Sequence, residues 1–141
     1  MYVLDTDHLG VLQRVSDPLY ANLSRRIAQR SQSDYFVTIV PFHEQVLGWT
    51  AYIAKARKTE GAVRGYIRLN SILKDFSSSQ VLLFDELAAN IFDDLRRQRI
   101  RVGTMDLRIA AIALSKQMTV LSRNLVDFQR VPNLKVEDWT S

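Results

Sequence analysis

The chain has 141 residues, 47% of them hydrophobic, with 19 basic against 15 acidic residues and a formal net charge of +4. That length suits a single domain over residues 1–141 with one sizeable core. The absence of cysteine and the presence of only two histidines exclude disulfides, thiolate zinc sites and a three-histidine metal site. No apolar run approaches the roughly 18 residues of a membrane helix, and Asp5 and Asp7 interrupt any signal-peptide centre. The expectation is a soluble, cytoplasmic protein without membrane contact.

Taken in chain order, Tyr2 to Leu4 are β-formers with no polar residue between them, as in a short strand buried on both faces. Asp5 and Asp7 follow at once, either as helix caps or as part of a site. Pro18 opens a helix to Arg30. Tyr35 to Thr38 reads as the second strand, and Pro41 stands in the first turn of a helix reaching Arg57. A helix over Gly61 to Asp75 leads through the SSSQ loop at Ser77 to Gln80 into a strand at Val81 to Phe84. Helices over Glu86 to Arg99 and Met105 to Gln117 precede a strand at Thr119 to Ser122, and Leu134 to Val136 reads as the last strand, after Pro132. Strands alternating with helices of ten or more residues imply crossovers and a mostly parallel sheet with helices on both faces, an α/β fold of three α/β/α layers.

Parallel sheets of this kind bind ligands beyond the carboxyl ends of their strands. Asp5 and Asp7 follow the first strand, Thr38 ends the second with Glu44 one turn into the next helix, and Asn124 and Asp127 follow the fourth. Asp106, in the turn GTMD that opens its helix, joins them if the Glu86 to Arg99 helix carries the chain back across the sheet. Carboxylates held close together repel unless a cation lies between them or their pKa values rise. Hard oxygen donors without a Cys or His set favour Mg²⁺ or Mn²⁺, an ion suited to phosphodiester hydrolysis. Each acid also has a local role open to it: Asp106 in a first helical turn, Asp127 at a turn, Glu44 at the surface.

The basic residues cluster. Arg25, Arg26 and Arg30 form one group, Arg57, Lys58, Arg64 and Arg68 a second, and RRQRIR, from Arg96 to Arg101, a third. The third, with Arg97 and Arg99, suits phosphate binding and a helix C-terminus alike. Trp49 and Tyr52, one turn apart, read as core or dimer contacts ahead of base-stacking groups.

YVLDTDHL at the start, VTIVPFHEQVLG over Val37 to Gly48, VGTMDLRIAAIAL over Val102 to Leu114 and TVLSRNLVDFQRVPNLKVEDW over Thr119 to Trp139 together resemble the PIN-domain ribonucleases, and within them the VapC-type toxins of toxin–antitoxin pairs. The resemblance implies a PIN-like fold and a metal-dependent endoribonuclease that cuts structured RNA, with Mg²⁺ or Mn²⁺ as cofactor. Its partners would be an RNA substrate, a cognate antitoxin and a second copy of the chain in a homodimer. Asp5, Glu44 and Asp106 match the metal-binding acids of the family and Thr38 its adjacent hydroxyl. Some members carry Asp where Asn124 stands, so Asp127 is the candidate for the fourth acid, and Asp7 stands where Asn is usual. Arg108 and Arg123 are candidates for the scissile phosphate.

Two other readings compete. A PIN-like module that binds RNA or a partner with weakened cleavage is suggested by Asn124. A phosphoacceptor signalling domain is suggested by Asp5 and Asp7 with Asp85 after the third strand and Ser122 after the fourth, although Lys135 is misplaced for it and Glu44 and Asp106 are left without a role.

Overall fold

A computed structural model describes all residues, Met1–Ser141. The strands are β1 (Tyr2–Leu4), β2 (Tyr35–Thr38), β3 (Val81–Leu82), β4 (Thr119–Leu121) and β5 (Val136–Glu137). They form one sheet in the order β3-β2-β1-β4-β5, and every neighbouring pair is parallel. The helices are α1 (Thr6–Leu12), α2 (Tyr20–Ala28), α3 (Ile39–Lys55), α4 (Thr59–Ser77), α5 (Glu86–Arg97), α6 (Thr104–Lys116) and α7 (Leu125–Phe128). None is long and apolar enough to cross a membrane.

Period-two alternation along the central strands divides the core in two. Val3 and Val120 face a cluster that holds Phe92 and Leu95 of α5, Leu107 and Ile109 to Ala113 of α6, and Phe128 of α7. Leu4, Val37 and Leu121 face the other way, onto Val11 of α1, Leu23 of α2, Ile72 and Phe76 of α4, and Trp139. The sheet is therefore sandwiched between helical layers, the expected three-layer α/β/α arrangement. Ile109 to Ala113 are all fully buried; the alanines Ala110, Ala111 and Ala113 let α6 pack closely, and α5 lies against it.

Two short helices had no range in the sequence, although a helix capped by Asp5 or Asp7 was one of its readings. α1 begins directly at Asp5, whose side chain accepts from the Thr6 N–H, and α7 begins at Asn124, whose side chain accepts from the Asp127 N–H. Such short helices rest on caps more than on an apolar period, so the period gives no sign of them. The third strand stops at Leu82, leaving Leu83 and Phe84 outside the ladder. The last strand shifts from Leu134–Val136 to Val136–Glu137, because Asn133 turns the chain with φ 66 and the Leu134 N–H bonds back to Val131.

Candidate active site

Asp5 is fixed by the sheet itself. Its N–H donates to the Leu121 carbonyl at 2.9 Å, extending the β1–β4 ladder by one bond to the carboxyl edge. There the side chains gather through three short bridges. Ser122, just past β4, donates its hydroxyl to Asp5 Oδ2 at 2.8 Å and lies 3.3 Å from Asp7 Oδ2. Asn124 donates its amide to Asp127 Oδ2 at 2.9 Å and to Asp106 Oδ2 at 3.4 Å. Thr6 donates its hydroxyl to Glu44 Oε1 at 3.2 Å, which ties α3 to α1. The Asn124 contact shows that α5 and its turn do return the chain to this edge, where α6 starts with Asp106.

The electrostatics confirm the convergence. Burial pushes the Asp5 carboxyl up from 3.8 to about 6, with Asp7 and Asp106 adding to the rise while the Ser122 and Thr6 hydrogen bonds oppose it. Asp106 is also raised, first by burial and then by the charges of Glu44 and Asp127. Asp7 goes the other way: burial works against its ionisation, but His8, the Arg123 N–H and the His8 N–H outweigh it and hold the carboxyl below its usual value. No ion pair reaches Asp5, Glu44 or Asp106; Asp127 alone of the metal-candidate acids meets a cation, Arg130 at 3.4 Å.

The donor set fits a hard divalent cation: the converging groups are carboxylates, burial and the charges of neighbouring acids raise Asp5 and Asp106, and a charge of +2 would relieve that repulsion. As the side chains stand, no three His, Asp or Glu groups close into a coordination shell.

Of the expected site residues, Asp5, Glu44, Asp106, Asn124 and Asp127 are brought together. Thr38 is fully buried and caps α3, its Oγ1 accepting from the Val40 N–H at 3.3 Å; no hydrogen bond joins it to the acids. Arg123 is exposed and gives its backbone N–H to Asp7 at 2.9 Å. Arg108 lies over the Phe92 ring, as does Arg96, at 5.7 and 5.5 Å. Arg97 pairs with Asp94 of its own helix, and Arg99 takes φ 55 where α5 ends. The described contacts of Arg96, Arg97 and Arg99 are thus local to α5, in keeping with a helix terminus.

Three residues of the site lay outside the set expected for the nuclease, Ser122 having been named only for the phosphoacceptor reading. Ser122 stood within the last quoted motif, where a hydroxyl directly after a strand was the available signal. Thr6 lies between the two aspartates, and only its pairing with Glu44 reveals its part. His8 has no sequence signal at all: it is fully buried, contacts Asp7 through Nδ1 at 2.8 Å, and accepts the Trp139 N–H at Nε2 at 3.1 Å. Acceptance at Nε2 assigns the ring proton to Nδ1, so the ring donates to Asp7.

The sheet order removes the phosphoacceptor reading. Such receivers have the doubly wound order 2-1-3-4-5, with the third strand beside the first. Here β2 separates β1 from β3, and Asp85 serves as the cap of α5, accepting from the Ala88 N–H at 3.0 Å.

No family model matches the chain. It is 27% identical to Ribonuclease VapC1 of Haemophilus influenzae (strain R2866) over 99% of its length and 98% of that protein. It is 32% identical to Ribonuclease VapC2 of Rickettsia felis over a shorter stretch, spanning 46% of each chain. Among solved structures, the DNA-bound VapBC of Salmonella typhimurium superposes with a TM-score of 0.76 at 23% identity, covering 98% of this chain and 97% of that one. Likeness of fold along the whole chain and curated relatives of one kind agree: the chain has the fold of the VapC toxins of VapBC pairs and is similar in sequence to VapC ribonucleases.

Proposed function

We propose that the protein is a metal-dependent endoribonuclease, the toxin of a toxin–antitoxin pair, acting on structured RNA in the cytoplasm. The observation that carries this reading is the meeting of Asp5, Glu44, Asp106 and Asp127 at the carboxyl edge, with Asp5 and Asp106 both raised in pKa and no ion pair to Asp5, Glu44 or Asp106. The names of the relatives, ribonucleases of the VapC kind, support the same activity.

In this reading Asp5, Asp106 and Asp127 hold Mg²⁺ or Mn²⁺. When bound, the ion polarises the scissile phosphate and acidifies a water. Glu44, held at Oε1 by the Thr6 hydroxyl, orients the attacking water and takes its proton. Asn124 keeps Asp106 and Asp127 facing one another through its amide hydrogens, which an aspartate there would lack. Ser122 holds Asp5, and Arg108 and Arg123 are the nearby candidates for phosphate. An antitoxin and a second copy of the chain are the protein partners of this reading. Exposed apolar residues along α4, Tyr66 at 62%, Ile67 at 59% and Leu73 at 60%, offer protein-binding surface.

Purified protein incubated with total RNA tests the proposal. Cleavage is expected with Mn²⁺ or Mg²⁺, to stop with chelator, and to fall on the order of 100-fold or more in Asp106→Asn. Equal cleavage in chelator, or by Asp106→Asn, would sink it. A protein that binds RNA and never cuts it would favour the second reading, a weakened PIN-like binding module, which Asn124 in place of an acid supports.

A further inference from the structure

The second basic cluster of the sequence has no part in the acid site, and the structure gives it a setting. Three depressions run end to end along the hairpin of α3 and α4. The first, about 890 Å³, begins at Asp7 and Arg123 and reaches Trp49 and Arg68. The second is bounded by Trp49 and Arg68 on one side and by Tyr52 and Arg64 on the other. The third, about 360 Å³, starts at Tyr52 and Arg64 and ends on Lys55, Arg57 and Lys58 at the tip of the hairpin. Shared walls make these one groove. Lys55 lies about three turns beyond Glu44, roughly 16 Å along α3.

Charge and aromatic rings are graded along it. At the acid end the lining is balanced, with Arg14, Arg68 and Arg123 against Asp7, Asp17 and Asp75. At the tip Lys55, Arg57, Lys58 and Arg64 face a single acid, Glu60, and none of the four forms an ion pair. Between the ends the Arg68 guanidinium lies 5.7 Å over the Trp49 ring, Trp49 meets Tyr52 edge to face at 5.1 Å, and Arg64 Nε donates to the Tyr52 hydroxyl at 3.2 Å. Alternating cations and aromatic faces are what single-stranded nucleic acid uses: phosphates meet the cations and bases stack on rings, whatever their sequence. Of the exposed apolar residues of α4, Tyr66 and Leu73 stand outside this lining and Ile67 belongs to it, so an apolar face adjoins the groove along α4.

We infer that the α3–α4 groove is an RNA track, with the tip cations Lys55, Arg57, Lys58 and Arg64 anchoring phosphates and Trp49 stacking a base between tip and acids. The inference rests on the ribonuclease reading and names where that substrate lies. It differs from the expectation that RRQRIR holds the RNA, where Arg96 and Arg97 are engaged within α5.

The test measures binding of a short labelled single-stranded RNA across a salt series, without metal, in an Asp106→Asn background. Replacing Lys55, Arg57 and Lys58 together with Gln should lower the log-log salt slope by about 2, close to 0.7 for each lost phosphate contact to a single strand. All three are exposed, so the melting temperature should hold. Trp49→Leu should weaken binding about tenfold at a fixed salt concentration. An unchanged slope in the triple variant overturns the track, as does a slope lost only when Arg96, Arg97 and Arg99 are replaced, or a triple variant that loses a protein partner and keeps its RNA slope. If the parent protein cleaves RNA and the triple variant keeps its slope, the track alone fails. If the parent neither binds nor cleaves RNA, the track and the ribonuclease reading fail together.

Discussion

Asp5 concentrates the chemistry of the site in one residue, because the sheet that fixes it also buries it. Its carboxyl titrates near 6 in the fold against 3.8 in an open chain, so the folded state binds the proton more tightly. A raised acid of this kind destabilises the fold when ionised: the penalty is absent below about pH 4, grows between about 4 and 6, and is complete above, at most about 3 kcal/mol. Asp5→Asn should therefore melt several degrees above the parent at pH 8 in metal-free buffer and level with it near pH 4. Millimolar Mn²⁺ should stabilise the parent and leave Asp5→Asn unmoved, since a ligand of the folded state adds stability by mass action. Equal melting of the two proteins at pH 8 would show that neither burial nor the neighbouring acids penalise an ionised Asp5. The acids themselves were legible in the sequence, because residue type and position after a strand are enough to nominate them. Thr6, Ser122 and His8 were not, because a hydroxyl or imidazole takes its meaning from the partner that folding brings to it.

Among the elements, the α3–α4 hairpin depends most on one close approach. A methyl group on Gly65 would lie 2.3 Å from Ile53 Cγ1 and 2.9 Å from Ile53 Cδ1, whereas one on Gly48, in the same hairpin, would meet nothing within 4 Å. The helices are in contact at Gly65, between Arg64 and the groove residues that follow. Gly65→Ala should lower stability by about 1–3 kcal/mol through overpacking, while Gly48→Ala should raise it by roughly 0.5–1 kcal/mol through helix propensity. Chemical denaturation of both reads the contrast, and a stabilised Gly65→Ala would show that the helices have room to separate. The long helices were legible because their apolar periods persist over many turns; α7, held by Asn124 as its cap, was not, and α1 was signalled only by Asp5 as a possible cap. The contact at Gly65 was hidden too, since a glycine in a helical pattern reads the same whether it faces a neighbour or open solvent.

At the scale of the molecule, the far end of the chain is bound into the site at its beginning. Trp139 is buried to 1% exposure against Tyr2, at 4.7 Å between ring centroids, and Arg26 and Arg30 cover it at 4.8 and 4.9 Å. Its N–H donates to His8 Nε2 at 3.1 Å, His8 Nδ1 holds Asp7 Oδ1 at 2.8 Å, and Asp7 Oδ2 takes the Arg123 N–H at 2.9 Å. Both oxygens of Asp7 are thus fixed, one of them through a chain that ends in the C-terminal segment. If that chain orients Asp7 for the acid site, the main-chain N–H of residue 139 matters to function and its indole matters to stability. Trp139→Phe should lose stability by a large fraction of the roughly 3–5 kcal/mol expected for an alanine there, yet cleave RNA at the parental rate per folded molecule well below its melting temperature. His8→Leu keeps a buried apolar side chain but frees Asp7, which meets Asp5 through the Ser122 hydroxyl, and should lower cleavage per folded molecule about tenfold, the loss expected when outer groups that orient a metal ligand are removed. The measurement is initial rate normalised to the folded fraction from circular dichroism. Parental rates in His8→Leu would reduce the chain from Trp139 to Asp7 to packing alone.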